Sequence, residues 1–216
     1  MELTESKLIS KTFMWMFIGL AITFGVGYCV SCNENMLFNL FSGYKWLILV
    51  IAEFGLVIAL SAFITKLSPV VAKTLFCVYA LVTGLTFSAI FVAYELGSII
   101  YVFGITGIVF LIFALLGYYT NMDLSKLGTY LLMALIAIII ASVINIFIGS
   151  SSLEFGITII GVLIFVGYVA YDINMLKKST LYEQDENLPI YWALQLYLDF
   201  INLFIKLLRL LGKERN

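Results

Sequence analysis

The sequence has no histidine and no surplus of basic residues, and each shortage excludes a class of function. Without histidine there is no histidine-based catalysis and no histidine metal site. With 12 Lys and Arg against 13 Asp and Glu, the formal net charge is −1. No basic patch is therefore available to neutralise the phosphates of a nucleic acid. Proton exchange near neutral pH is left to carboxyl, thiol or lysine groups in unusual surroundings.

Cysteine is also scarce, with only Cys29, Cys32 and Cys77 in the chain. The first two form a C-x-x-C motif at the end of the first apolar run. No second pair and no histidine completes a tetrahedral zinc site. The motif is either a redox pair or two small residues at a helix end, and the second interpretation is favoured. We expect no cofactor.

Charged residues make up only 12% of the chain, whereas 63% of the residues are hydrophobic and the mean hydropathy is +1.10. An ordinary soluble domain is roughly 45–50% apolar and about 25% charged. This composition predicts an integral membrane protein. The length of 216 residues predicts one transmembrane domain over residues 1–216.

Uncharged runs mark six membrane-spanning helices, because a span needs about 20 predominantly apolar residues. The predicted spans lie near residues 12–32, 46–65, 71–94, 98–119, 127–148 and 155–176. The first run is too long for the apolar region of a secretory signal and is interpreted as an uncleaved anchor. The lysines of the loops favour a cytoplasmic N-terminus.

A seventh segment, near 188–211, differs from the other six. Its polar residues recur at spacings of 4, 3, 4 and 3, which is one stripe of a helix: Gln195, Asp199, Asn202, Lys206 and Arg209. A polar stripe on an otherwise apolar helix is expected to face the helix bundle rather than lipid. We therefore predict an all-α seven-helix bundle with the C-terminal helix at its centre. Loop charge favours a segment that enters and returns, whereas length favours one that crosses.

Two aspartates interrupt the last two apolar segments. Asp172 ends the run 164–172 (IFVGYVAYD), and Asp199 lies within 193–204 (ALQLYLDFINLF). A charged aspartate at the centre of a membrane helix costs about 2.5–3.5 kcal/mol. An ionisable residue inside a membrane is a functional candidate by default.

These two segments, with 207–212 (LLRLLG), 83–88 (TGLTFS) and 123–128 (DLSKLG), resemble the transmembrane Bax-inhibitor-motif family, particularly its bacterial members. The resemblance covers nearly the whole chain. It implies seven helices with the last at the centre, a bacterial inner (plasma) membrane location and a pH-sensitive calcium leak. It also implies that the pair matching Asp172 and Asp199 gates the leak.

The resemblance further implies a latch, since bacterial relatives carry an arginine near the end of the second helix. Here that region is 61–66 (SAFITK), which has no arginine, so Lys66 is the candidate latch. An ammonium group cannot make the two parallel bonds that a guanidinium makes with a carboxylate. We therefore expect a looser closed state.

If the two aspartates lie about 4 Å apart, their repulsion is roughly 4 kcal/mol at an effective dielectric constant near 20. Such a pair is expected to share one proton near neutral pH and to titrate as a unit. Spacing alone does not require the pairing. Each aspartate could instead bond a tyrosine or asparagine separately and join two helices.

Calcium takes hard oxygen ligands, so a deprotonated aspartate pair suits it as a bound or permeant ion. Asn174 and Asn202 lie nearby in sequence and are candidates for further oxygens. Glu53, midway through the second predicted helix, is either another cation ligand or a carboxylate satisfied by Thr, Tyr or Asn neighbours.

Three other functions compete with a calcium leak. An intramembrane aspartyl protease also uses two aspartates on adjacent helices, one of them in Tyr-Asp, as at Tyr171 and Asp172. Its second motif, Gly-x-Gly-Asp, is replaced here by 196–199 (LYLD). A retinal protein would need Lys206 nearer the membrane centre. We expect no enzyme. The remaining alternative is a non-catalytic regulator of proteolysis or cell-death partners within the membrane.

Overall fold

The computed structural model describes residues 5–179 and 185–215, except for the side chain of Thr65. Regular structure within these residues is helical, and one isolated backbone bridge joins Tyr94 and Glu214. The helices are α1 (Glu5–Ser31), α2 (Glu34–Phe41), α3 (Lys45–Phe63), α4 (Pro69–Ala93), α5 (Leu96–Tyr119), α6 (Ser125–Ile148), α7 (Ser151–Ser179) and α8 (Leu188–Leu211), with a 3-10 turn at Ile64–Lys66.

Six helices in the described part of the chain are long and apolar enough to cross a membrane, namely α1, α3, α4, α5, α6 and α7. Their outer faces carry large apolar side chains, of which Phe17 on α1 is 70% exposed and Phe147 on α6 is 85% exposed. Exposed apolar faces of this kind are stable against lipid tails. The protein is therefore an all-α membrane protein.

Two features of the helices differ from the sequence prediction. The first helix begins at Glu5 rather than near residue 12, because a helix can continue through charged residues at its end. The short helix α2 was not predicted, since its eight residues are too few for a span. Asn33 is the N-cap residue of α2, and its side-chain Oδ1 accepts a hydrogen bond of 3.1 Å from the Met36 amide.

The chain divides into two compact units. The first comprises Met1–Leu96, Tyr182–Tyr197 and Glu214–Asn216, and the second comprises Gly97–Leu181 and Leu198–Lys213. The division within α8 falls between Tyr197 and Leu198.

Close packing of α1 on α4 forms the core of the first unit. A Cβ atom on Gly84 would lie 2.8 Å from the Val26 Cβ and 3.0 Å from the Thr23 carbonyl oxygen. Small residues at such positions allow two helix backbones to approach in lipid. The Tyr197 side chain of α8 is fully buried and packs edge-on against the rings of Phe76 and Tyr79.

Asn187, the residue directly before α8, connects this helix to another part of the first unit. Its side-chain Nδ2 donates hydrogen bonds to the carbonyl oxygens of Ile64 at 3.0 Å and Leu67 at 2.6 Å. These carbonyls lie at the 3-10 turn after α3, where the regular hydrogen-bond ladder has ended. Asn187 therefore ties the start of α8 to the end of α3.

In the second unit, α7 packs against α5 and α6. A Cβ atom on Gly117 of α5 would overlap the backbone of Ala170, so these two helices touch main chain to main chain. Toward α6, Gly167 leaves space for the Leu131 side chain. The interface of α6 and α7 is an apolar cluster built on Leu131, Ile138, Ile157 and Ile164.

Candidate functional site

Asp172 lies on α7, within the second unit, and only 6% of its surface is exposed. The helix continues past the predicted end at residue 176 to Ser179. Asp172 is therefore about 10 Å from the end of its helix at 1.5 Å per residue, which places it well inside the apolar part of the fold. The close contact of Gly117 with Ala170 fixes this part of α7 against α5.

Asp199 lies on the part of α8 that belongs to the same unit, and it is 5% exposed. The carboxyl groups of Asp172 and Asp199 lie within hydrogen-bonding reach of each other. Two carboxyl groups can bond in this way only when one of them carries a proton to donate. The two side chains are thus placed so that one proton can lie between them.

One carboxyl oxygen of this pair has no hydrogen-bond donor. The Oδ2 atom of Asp199 is buried and has no hydrogen-bond partner among the described residues. A buried carboxylate oxygen without a donor is costly, and such exceptions call for an explanation such as a functional role or a bound ion or water.

Two tyrosines that the sequence analysis did not select lie beside the pair. Tyr168 and Tyr171 on α7 both interact electrostatically with Asp172, and Tyr168 does so with Asp199 as well. Gly128 on α6 makes room for Tyr171, since a Cβ atom there would overlap the phenol ring. The sequence signal for Tyr168 was its position four residues before Asp172, about one helical turn away, whereas the position of Tyr171 directly before Asp172 gave no such signal.

The two asparagines occupy different surroundings. Asn174 is 4% exposed and its Nδ2 donates a hydrogen bond of 3.2 Å to the Gly117 carbonyl, while its Oδ1 remains buried and unpartnered. Asn202 is half-buried, and its Nδ2 donates to the Leu198 carbonyl of its own helix at 2.8 Å. Asn202 follows Asp199 by three residues and shares its helix face, whereas Asn174 is two residues from Asp172 and points elsewhere.

The stripe on α8 becomes more exposed toward its C-terminal end. The Lys206 side chain lies along α7 at Gly161, where a Cβ atom would be 2.9 Å from the Lys206 Cε. Arg209 is exposed, and its Nη1 lies 3.5 Å from the Glu154 Oε1. Arg209 thus lies at the first turn of α7, whereas the half-buried Lys206 lies about three turns further along that helix.

Glu53 and Lys66 lie in the first unit. The Glu53 carboxylate on α3 is half-buried and faces the Thr83 and Thr86 hydroxyls of α4. The Lys66 ammonium is exposed and lies 5.8 Å from the centre of the Phe63 ring.

Within residues 5–179 and 185–215, no three His, Cys, Asp or Glu side chains cluster as a metal site would require. A cation at the aspartate pair would need further oxygens from amides, backbone carbonyls or water. Cys29 and Cys32 are exposed free thiols.

Comparison with known proteins places this architecture in a family. Residues 5–216 match the family described as inhibitor of apoptosis-promoting Bax1. The inner membrane protein YbhL of Escherichia coli K12 is 43% identical over 216 residues, which cover 96% of this chain and 92% of YbhL. An uncharacterised protein of Borreliella burgdorferi is 43% identical over 220 residues, covering 99% and 95%. One of Deinococcus radiodurans is 41% identical over 212 residues, covering 96% and 90%.

The match extends over nearly the whole length of each protein and includes both aspartate segments. With six apolar helices and relatives named as inner membrane proteins, the chain is a multi-pass protein of the bacterial inner membrane. It belongs to the Bax inhibitor family.

Proposed function

We propose that this protein is a pH-sensitive calcium leak channel gated by the aspartate pair. The observation that carries the proposal is that the buried carboxyl groups of Asp172 and Asp199 lie within hydrogen-bonding reach of each other. The shared proton joins α7 to the C-terminal half of α8. Loss of that proton leaves two adjacent anions, which either separate or take up a cation.

The proposed architecture has seven membrane helices, with α8 at the centre of the other six. Its support is the burial of α8, where Leu194, Leu196 and Tyr197 are fully buried on one side of Asp199 and Leu203 and Phe204 on the other. A helix buried to this extent despite carrying polar residues suits the interior of a bundle.

Calcium is the proposed ion because the deprotonated pair supplies hard oxygen ligands. The unpartnered Oδ2 of Asp199 is one such oxygen, and Asn202 on the same face of α8 offers its amide oxygen. Waters and backbone carbonyls complete the shell.

Glu53, with the two threonines that it faces, is proposed as a separate charge in the vestibule of the channel. Lys66 is proposed as the latch, and its ammonium group binds a carboxylate less strongly than the guanidinium of an arginine would.

The test is calcium flux into liposomes that contain the reconstituted protein and a calcium dye. Wild-type flux should change between about pH 5 and 8, the range over which a coupled carboxyl pair can exchange its proton. Asp172→Asn and Asp199→Asn should each flatten that profile. Glu154→Gln, an exposed carboxylate of the same unit, is the matched control. A wild-type profile in both aspartate variants would remove the pair from the mechanism.

A second candidate is a non-catalytic regulator of membrane protein partners, which the family description, inhibitor of apoptosis-promoting Bax1, favours. Such a regulator would act by binding, so its effect on a partner should survive the two asparagine substitutions while any flux is lost. In both proposals the protein performs no chemical catalysis.

A further inference from the structure

A cavity of about 480 Å³ lies in the first unit, where α1 and α4 end and α5 begins. Its volume falls within the roughly 300–1,000 Å³ of small-molecule sites. The residues that line it include two aromatic residues, a cysteine and two residues of opposite charge, namely Tyr28, Phe91, Cys32, Glu95 and Arg215. None of these residues takes part in the gating proposed above.

Arg215 is held at this cavity by its backbone. After α8 the chain pairs with the connection between α4 and α5, where Glu214 forms an antiparallel bridge with Tyr94. The Arg215 amide donates a hydrogen bond of 2.8 Å to the Ala93 carbonyl. This carbonyl lies in the last turn of α4, where helix carbonyls lack intrahelical donors. The guanidinium therefore reaches the cavity from a fixed attachment point.

The two ionic groups in the wall differ in sign, and the aromatic groups adjoin them. The ring centres of Tyr28 and Phe91 are 5.8 Å apart, in an edge-on arrangement. Aromatic faces and a carboxylate together attract an ammonium group. A guanidinium binds phosphate oxygens through two parallel hydrogen bonds. A ligand that satisfies both parts carries an ammonium and a phosphate a few bonds apart.

We propose that this cavity binds a phosphoethanolamine group, with its phosphate on Arg215 and its ammonium between Glu95 and the two rings. The cavity lies at the ends of apolar helices, the level at which lipid headgroups are found. Its wall residue Tyr28 is 46% exposed, and Val92 at the end of α4 is also 46% exposed. Acyl chains can continue along these apolar surfaces, so the source of the group is phosphatidylethanolamine of the membrane.

The test is native mass spectrometry of the full chain in detergent, titrated separately with phosphatidylethanolamine, phosphatidylglycerol and free phosphoethanolamine. Phosphatidylethanolamine should bind about ten-fold more tightly than phosphatidylglycerol, which lacks the ammonium group. Glu95→Gln and Arg215→Gln should each weaken its binding by a similar factor. Glu186→Gln and Lys45→Gln, which change an exposed carboxylate and an exposed ammonium of the first unit outside the cavity wall, should leave it unchanged.

A second measurement needs no substitution in the wall. Cys32 lines the cavity, whereas Cys29 is exposed one turn earlier on α1 and does not. Saturating phosphatidylethanolamine should slow alkylation of Cys32 several-fold and leave Cys29 unaffected. Equal binding of both lipids, together with unchanged Cys32 alkylation, would overturn the proposal. If free phosphoethanolamine binds as tightly as the lipid, the lipid source is wrong and a soluble zwitterion occupies the cavity.

Discussion

The hydroxyl groups of Tyr197 and Thr23 lie 2.6 Å apart and join α8 to α1 inside the first unit. Thr23 Oγ1 also donates a hydrogen bond of 2.9 Å to the Ala80 carbonyl of α4. Because the threonine has one hydroxyl proton, it must accept from Tyr197 while it donates to Ala80. Three helices are thus connected through a single side chain.

The first prediction concerns this connection. Tyr197→Phe removes the phenol donor but keeps the ring that packs on Phe76 and Tyr79. We expect a loss of about 0.5–1.5 kcal/mol in the free energy of unfolding, the net contribution of one hydrogen bond. Urea or thermal unfolding in detergent measures it. Tyr130→Phe is the control, since Tyr130 is 62% exposed. An equal loss in both variants would show that the bond to Thr23 contributes nothing specific.

A second prediction compares two glycines of α5. Gly117→Ala places a methyl group into the Ala170 backbone and should lower the free energy of unfolding by about 1–3 kcal/mol, the usual cost of overpacking. Gly107 on the same helix has nothing within 4 Å of the added atom. Gly107→Ala should raise stability by about 0.5–1 kcal/mol, because alanine favours the helix. If both substitutions stabilise the protein, α5 and α7 do not touch through their main chains.

The third prediction concerns the ion pair between Asp123, in the loop after α5, and Lys178 at the end of α7. Their Oδ1 and Nζ atoms are 2.7 Å apart. Hydrogen bonds from Lys178, and then from the Ser125 hydroxyl and amide, hold the pKa of Asp123 well below its usual range. A lowered carboxyl pKa stabilises the fold at pH values above the unfolded pKa of about 4, and this contribution disappears as the pH falls toward the folded value.

Asp123→Asn should therefore reduce the melting temperature slightly at pH 7, and the difference from wild type should shrink progressively below about pH 4. The effect is small because both side chains are accessible to solvent. Melting curves at pH 7, 4 and 3 measure it, with Glu214→Gln as the exposed control. A difference that grows on acidification would contradict the assigned sign.

A fourth prediction tests the proposed latch. Lys66→Arg supplies a guanidinium, which can make two parallel bonds to a carboxylate, and should reduce the resting calcium leak at pH 7 about five-fold. Lys45→Arg makes the same change at the start of α3 and should have no effect. Liposome flux measures both variants. An unchanged leak in Lys66→Arg would exclude this position as the latch.

Much of the fold follows from the sequence because long uncharged runs have few alternatives to membrane helices. The six apolar helices of the described residues correspond to the six uncharged runs. The contacts of the Asn187 side chain were not predicted, because they reach the carbonyls of Ile64 and Leu67, more than 100 residues earlier. Local patterns contain no information about such distant acceptors.

The candidate site was predictable only in part. Two aspartates in apolar segments stand out because a charged aspartate raises the free energy of membrane insertion. Their proximity to each other, however, depends on how α7 and α8 align. That alignment rests on contacts such as Gly117 with Ala170, which spacing along the chain does not reveal. Tyr168 and Tyr171 were missed because tyrosines are common in membrane helices and their proximity to the pair follows from the same packing.

The hydrogen bonds that attach the two ends of α8 do not depend on the protonation of a side chain. One end is fastened through the neutral amide of Asn187, and the chain beyond the other end through the main-chain amide of Arg215. Neither fastening loses or gains a proton between mildly acidic and mildly alkaline conditions. Acidification and alkalinisation therefore leave both anchor points intact.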